Sequence, residues 1–205
     1  MGDDSRQLAS LARAWDDAAS EYERYFVPRF APWVDAAVQE VTEVVLPPGP
    51  VVVPCCGTFP ELPALTAALP GRDIAGIDLS PGMVEIARRR AAGLPHVRLV
   101  VGDAADLAPE WTAVCAGVVS VFGLQQLPDP EAALGAWVSA LRPEGRLSVM
   151  YWPDTLEDDG PFAVLDRVLS GARPRAGDAW GGTGSPTWSV PAERRSSETS
   201  IRPSP

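Results

Sequence analysis

Residues 51–58, VVVPCCGT, pass from an apolar, β-branched run into a bend of small residues and then into a helix-like segment, Glu61 to Leu69. Strand, tight bend and helix in that order open a βαβ unit, and here the alternation continues down the chain. Strands are expected at 51–54, 73–78, 97–101, 117–122 and 146–152. The run at 117–122 is nearly all apolar, as a strand covered on both faces should be. Between them, Ser80 followed by Pro81 reads as the cap and first position of a helix over 81–92, and Asp129-Pro130-Glu131 repeats that signal. The alternation predicts an α/β fold: a doubly wound, Rossmann-like, mostly parallel sheet with right-handed crossovers. Such a sheet gathers its bends at one edge, where free backbone N–H groups and a helix N-terminus can meet the polar parts of a cofactor.

The first fifty residues read as two helices forming a lid. Leu8, Leu11, Ala12, Trp15, Ala18, Ala19 and Tyr22 share a face over 5–26. A second helix over 31–45 carries Pro32 in its first turn and a stripe of Val34, Ala37, Val38, Val41 and Val45, and Pro47-Pro48-Gly49-Pro50 stops it. After the strand at 117–122, Leu134, Trp137, Val138 and Leu141 make an apolar stripe, and Arg142-Pro143-Glu144-Gly145 reads as a turn into the last strand. One more helix is expected at 161–170. The organisation is therefore a lid at 1–50, a cofactor-binding domain at 51–170, and a Gly/Pro/Ser-rich tail at 171–205 without periodicity, expected to be disordered. Further strands that would close the far side of such a sheet cannot be read, so the C-terminal part looks missing. A sheet left incomplete offers an edge for a second copy, which makes a homodimer an expectation.

Composition excludes several classes. A net charge of −10 argues against a nucleic-acid partner. The Arg88-Arg89-Arg90 run falls on a helix and reads as a solvated face. Three cysteines, two of them adjacent, make neither a disulfide framework nor a zinc set and fit a reducing cytoplasm; Cys55 and Cys56 read as packing groups. The acidic start, MGDDSRQLAS, is no signal peptide, and no apolar run approaches the ~20 residues of a membrane span. His96, the single histidine, lies at the amino edge of the sheet, away from the bends, so no metal site is expected. There is no G-x-S-x-G nucleophile elbow.

The chemistry then falls to strand ends. Asp78 closes the second strand about 20 residues beyond the glycine bend, where a carboxylate can accept from both ribose hydroxyls of an adenine nucleotide. Asp103 closes the third strand and can take the exocyclic N–H of adenine, with the Ala104 N–H serving a ring nitrogen. Phe122 follows the fourth strand as a wall of the pocket or as core, whereas Gln125 and Gln126 read as exposed loop polars.

These segments together resemble the class I S-adenosylmethionine-dependent methyltransferases, small-molecule type. WDDAASEYERYF looks like the lid entry, VVVPCCGTFPE the glycine motif, GIDLSPGMVEIAR the acidic-loop motif, VVGDAADL the adenine motif, and SVFGLQQLPDPEAALGAWVSALRPEGRLSVMYW the block around strands four and five. The resemblance implies S-adenosyl-L-methionine as cofactor, with Cys55, Cys56, Gly57 and Thr58 bordering its methionine moiety. Asp78 would bind the ribose, Leu79 and Met83 would lie beside the adenosine, and Asp103 and Ala104 would hold the adenine. Tyr22, with Tyr25, would close the lid. Three departures stand out. Val53 occupies the place of an acid that would bind the cofactor's amino group; Phe59 replaces a third glycine and is expected to crowd the methionine carboxylate; and the family's final antiparallel strand pair has no counterpart. The implied reaction is in-line methyl transfer to a small molecule, which rests on alignment and needs a base only if the acceptor must lose a proton. No base is identified; Tyr22, Tyr25 and Asp16 are the nearest lid groups. A non-catalytic scaffold that keeps the cofactor fold is the alternative. A nicotinamide oxidoreductase is disfavoured by the lack of G-x-G-x-x-G.

Overall fold

A computed structural model describes residues 3–152. Helix α1 (Asp3–Glu21) runs through one turn of π-helix (Tyr22–Phe26) into α2 (Val27–Thr42). The sheet follows: β1 (Val51–Pro54), α3 (Leu62–Ala68), β2 (Ile74–Asp78), α4 (Pro81–Arg90), β3 (Val97–Val101), β4 (Cys115–Val121), α5 (Pro130–Ala140) and β5 (Leu141–Met150). The strand order is β3-β2-β1-β4-β5 and every pairing is parallel. Chain order thus reverses between β1 and β4, which creates a crevice beyond their carboxyl ends.

The central strands are apolar because both faces are covered. Val51, Val52 and Val53 are fully buried, with odd and even positions feeding opposite layers. One layer packs Val34, Val38 and Val41 of α2 with Phe59, Leu62 and Leu65; the other is built on Trp137 of α5 with Val52, Val118 and Trp111. Each such side chain contributes about 1.5–3 kcal/mol on burial.

Four expectations need correction. The lid helices meet without a break, so Pro28, and not Pro32, lies in the first turn of α2, and Pro32 sits inside it. Val45 lies beyond α2 and is 99% exposed. The stripe on α5 is narrower than expected, since Val138 is exposed while Ala133, Trp137 and Ala140 are buried. Finally, Arg142-Pro143-Glu144-Gly145 is no free turn: β5 already pairs at Leu141 with Cys115, and an irregularity in register, with Glu144 at φ 67°, takes up the extra residues before Arg146 meets Gly117. The helix expected at 161–170 and the tail from 171 lie outside the described residues.

Candidate functional site

The bend after β1 is held in a left-handed conformation at every second residue: Cys55 at φ 55°, Gly57 at 52° and Phe59 at 64°. Such values are unfavourable for side chains with a Cβ, by roughly 1–2 kcal/mol each, and persist only where the surroundings impose them. Here they do. The Cys56 N–H donates to the Ile77 carbonyl (3.0 Å), the Gly57 N–H to Asp78 Oδ2 (2.8 Å), and the Phe59 N–H to the Cys56 carbonyl (2.7 Å). The N–H groups of these three residues, expected to be free for an anion, are therefore engaged within the protein. Opposite, Phe122 after β4 is also left-handed at φ 58°, and Gly123 leaves the space Cys55 needs: a Cβ there would lie 2.4 Å from Cys55 Cβ.

Phe59 does not crowd the crevice. Its side chain is fully buried in the layer with Leu62 and Leu65, and its ring lies over Gly76, where any Cβ would come within 3.0 Å of the ring edge. Cys56 and Thr58, expected at the cofactor, are also buried and do not line the main cavity; Cys55 and Gly57 face it, and Cys56 lines a smaller space beside it. Burial among apolar atoms beside Asp78 pushes the Cys55 and Cys56 thiols up, which keeps them protonated and supports the packing role.

The main cavity has a volume of about 240 Å³. Asp78, Leu79 and Met83 line one side, with Asp103 and Ala104 next to them. Asp78 Oδ1 accepts from the Ser80 N–H (2.9 Å) while Oδ2 accepts from Gly57. Burial raises its pKa and these backbone donors oppose the rise. The Leu79 N–H also acts on this carboxylate, and three backbone donors leave it one further acceptor direction. Asp103 Oδ1 accepts from the Ala105 N–H (2.8 Å), and the Ala104 carbonyl is pinned by the Trp137 indole N–H (2.7 Å), so α5 fixes the loop after β3.

The lid supplies the opposite wall. Leu8, Leu11 and Trp15 of α1 reach the cavity with Tyr22, Phe26 and Phe30, and Phe122 and Trp152 complete it. The rings form one contiguous set: Tyr22 stacks on Phe26 (5.8 Å), Phe26 on Phe30 (5.7 Å), Phe30 meets Phe122 (4.7 Å), and Phe122 stacks on Trp152 (4.9 Å). The π-turn matters here. It adds a residue to the helical repeat, with the Val27 N–H donating to the Tyr22 carbonyl, just where Tyr22 enters the cavity. Burial and the Glu61 carboxylate raise the Tyr22 pKa, so its phenol stays protonated.

Two of the nearest lid groups are elsewhere. Asp16 Oδ1 accepts from the Ser80 hydroxyl and the Gly82 N–H (2.7 Å), which latches α1 onto the start of α4. Tyr25 is 48% exposed beneath the Arg29 guanidinium. Arg90 also departs from its neighbours: Arg88 and Arg89 pair with Glu85 at the surface, whereas Arg90 turns inward to the Thr58 carbonyl and to Glu23. Gln125, read as an exposed polar, lines the cavity instead. Its amide donates to the Phe122 carbonyl (2.8 Å) and its Oε1 is buried without a partner. His96 stays off the cavity, as expected.

Residues 51–145 match the family described as the methyltransferase domain. That matched segment has the sequence of a methyltransferase domain. It is 36% identical over 92 residues to a demethylmenaquinone methyltransferase of Staphylococcus aureus, covering 44% of this chain and 38% of that one. It is 43% identical over 119 residues to an uncharacterized 37.1 kDa protein in transposon Tn4556 of Streptomyces fradiae, covering 56% of this chain and 34% of that protein. The chain thus spans about a third of the length of these curated relatives. Among solved structures, an S-adenosylmethionine-dependent methyltransferase of Thermotoga maritima superposes with a TM-score of 0.50 at 28% identity, over 68% of this chain and 60% of that one. Among the described residues, the cavity wall holds no histidine, lysine or arginine, and its only carboxylates are Asp78 and Asp103.

Proposed function

We propose that the protein binds S-adenosyl-L-methionine in the crevice between β1 and β4 and transfers its methyl group to an apolar small molecule. One observation carries the reading: a single cavity joins a nucleoside-sized edge (Asp78, Leu79, Met83, Asp103, Ala104) to a chamber walled by aromatic rings. The residues fit the cofactor. Asp78 retains an acceptor direction for the ribose, Asp103 and Ala104 border the adenine place, and Gly57 with Cys55 borders the methionine end. When bound, the cofactor supplies an activated methyl group on a sulfonium. The chain's part is to hold it. Tyr22, Phe26 and Phe30 wall the chamber, and their π-faces favour a cationic centre. Asp78 and Asp103 add negative charge on the same wall.

Because Asp78 and Asp103 are both held by backbone N–H groups and Asp16 is held as a latch, the wall is poor in groups that could take a proton. That favours an acceptor that reacts without losing a proton first. The same feature favours the second reading, a cofactor-binding scaffold without turnover. The net charge of −10 supports a small molecule over a nucleic acid as partner, and three free cysteines support a cytoplasmic setting; a homodimer along an edge strand is part of the proposal. Isothermal titration with S-adenosylhomocysteine tests the core of it, with micromolar affinity expected. No binding at millimolar ligand refutes both readings, while binding without product formation across apolar acceptors selects the scaffold.

A further inference from the structure

Beside the main cavity lies an annex of about 20 Å³, and Tyr22, Phe30, Cys55, Gly57 and Phe122 line both spaces. The volume suits one water-sized group. One charged side chain, Glu61, lines it, and the remaining wall is almost wholly apolar.

Glu61 is 2% exposed, and its Oε2 is buried with no hydrogen-bond partner. A carboxylate in that state calls for a reason, because burial without a partner strongly disfavours its charge. Its own backbone N–H gives the carboxyl one hydrogen bond, and the other usual structural reasons are lacking. Glu61 stands at the cap position of α3, yet its side chain makes no capping bond. Arg90, the cation whose charge reaches it, is held by the Thr58 carbonyl and Glu23, and Glu61 has no ion pair among the described residues. An apolar residue of that size would pack the position better.

We infer that Glu61 is the counter-charge for the amino group at the methionine end of the cofactor, received in this annex. The inference rests on the cofactor reading above. Two observations converge on it. The N–H groups of Cys56, Gly57 and Phe59 are engaged, so the bend gives little purchase on a carboxylate and the annex selects for a cation instead. An ammonium is water-sized, carries three donors for a carboxylate, and is stabilised by the ring faces of Tyr22, Phe30 and Phe122. The shift of the Glu61 carboxyl up to about 8 by burial agrees, since such a group becomes a stable anion only when a cation joins it.

The test is a titration of the full chain and its Glu61→Gln and Glu61→Asp variants with three probes: S-adenosylhomocysteine, its deamino analogue, and 5′-methylthioadenosine, which lacks the amino-acid end. The wild type should bind S-adenosylhomocysteine at least 10-fold more tightly than the deamino analogue. Glu61→Gln should reduce that preference to within about 2-fold, Glu61→Asp should fall between, and 5′-methylthioadenosine should bind all three proteins equally, which also reports that they are folded. Equal preference in wild type and Glu61→Gln overturns the role of Glu61 and leaves the cofactor reading standing. Should neither variant fold, a wild-type preference below 2-fold overturns it alone. Failure of the wild type to bind any of the three probes overturns the cofactor reading itself.

Discussion

Removing the Glu61 charge should stabilise the empty protein, and only above the ordinary carboxylate range. In the folded chain burial pushes the Glu61 pKa up to about 8, against an ordinary value of 4.5. Between those values the unfolded chain has released a proton that the folded chain keeps. The unfolded state then binds fewer protons, so stability falls as pH rises. Across the full window the loss approaches (8 − 4.5) × 1.36, about 5 kcal/mol, and at pH 7 it is about 3 kcal/mol. Arg90 lowers this figure and Asp78 raises it, and both are included in the shift. Glu61→Gln keeps the shape and does not titrate. Urea denaturation should therefore give coincident midpoints for variant and wild type at pH 4, and a midpoint higher for the variant by about 2 M at pH 8.5, taking a slope of about 2 kcal/mol per M. A difference that stays constant from pH 4 to 8.5 would refute the reasoning, for it would mean that Glu61 is ionised in the fold throughout. A wild type that gains on the variant with rising pH would refute it more sharply.

Asp78→Ala removes the acceptor of the Gly57 and Ser80 N–H groups and should weaken S-adenosylhomocysteine binding at least 10-fold by titration calorimetry, since bonds to a charged group contribute about 1.5–3 kcal/mol each. Trp137→Phe leaves the Ala104 carbonyl without its indole donor and should lower stability by about 1–3 kcal/mol in urea melts. Gly123→Ala drives a Cβ to 2.4 Å from that of Cys55, with a loss of about 1–3 kcal/mol and a lower melting temperature by scanning fluorimetry. Phe59→Gly relieves a left-handed Phe but empties a core site, so it should lose about 2–4 kcal/mol net while changing S-adenosylhomocysteine affinity by less than 2-fold. A tighter complex would put the ring back in the crevice.

The sheet is legible in the sequence because its signals are local and redundant. Five apolar runs, two cap-and-proline starts at Ser80 and Asp129, and a carboxylate at the end of β2 and another just past β3 all indicate the same topology, and both caps accept the expected N–H. The lid is legible only in outline. Tyr22, Phe26 and Phe30 stand four residues apart, a spacing that marks one face of a helix, but the π-turn at Tyr22 has no local signature. Gln125 and Arg90 escape a sequence reading for a related reason. Each belongs to a class of side chain that is usually solvated, and what brings each inside, the Phe122 carbonyl for one and Glu23 with Thr58 for the other, depends on the folded path of the chain.

Phe59 shows most clearly why residue identity and physical requirement must be kept apart. A glycine in such a bend answers two separate needs, a left-handed φ and room for close packing. At 59 the first need remains, at φ 64°, and is met by a phenylalanine under strain. The second has moved across the sheet: Gly76 on β2 is the residue without a side chain, and the Phe59 ring fills the space above it. The bend therefore keeps its path with its bulk turned into the core, and the crevice stays open. The same bend carries the chain into α3 with Glu61 at its head, where a carboxylate lines the small space beside the crevice.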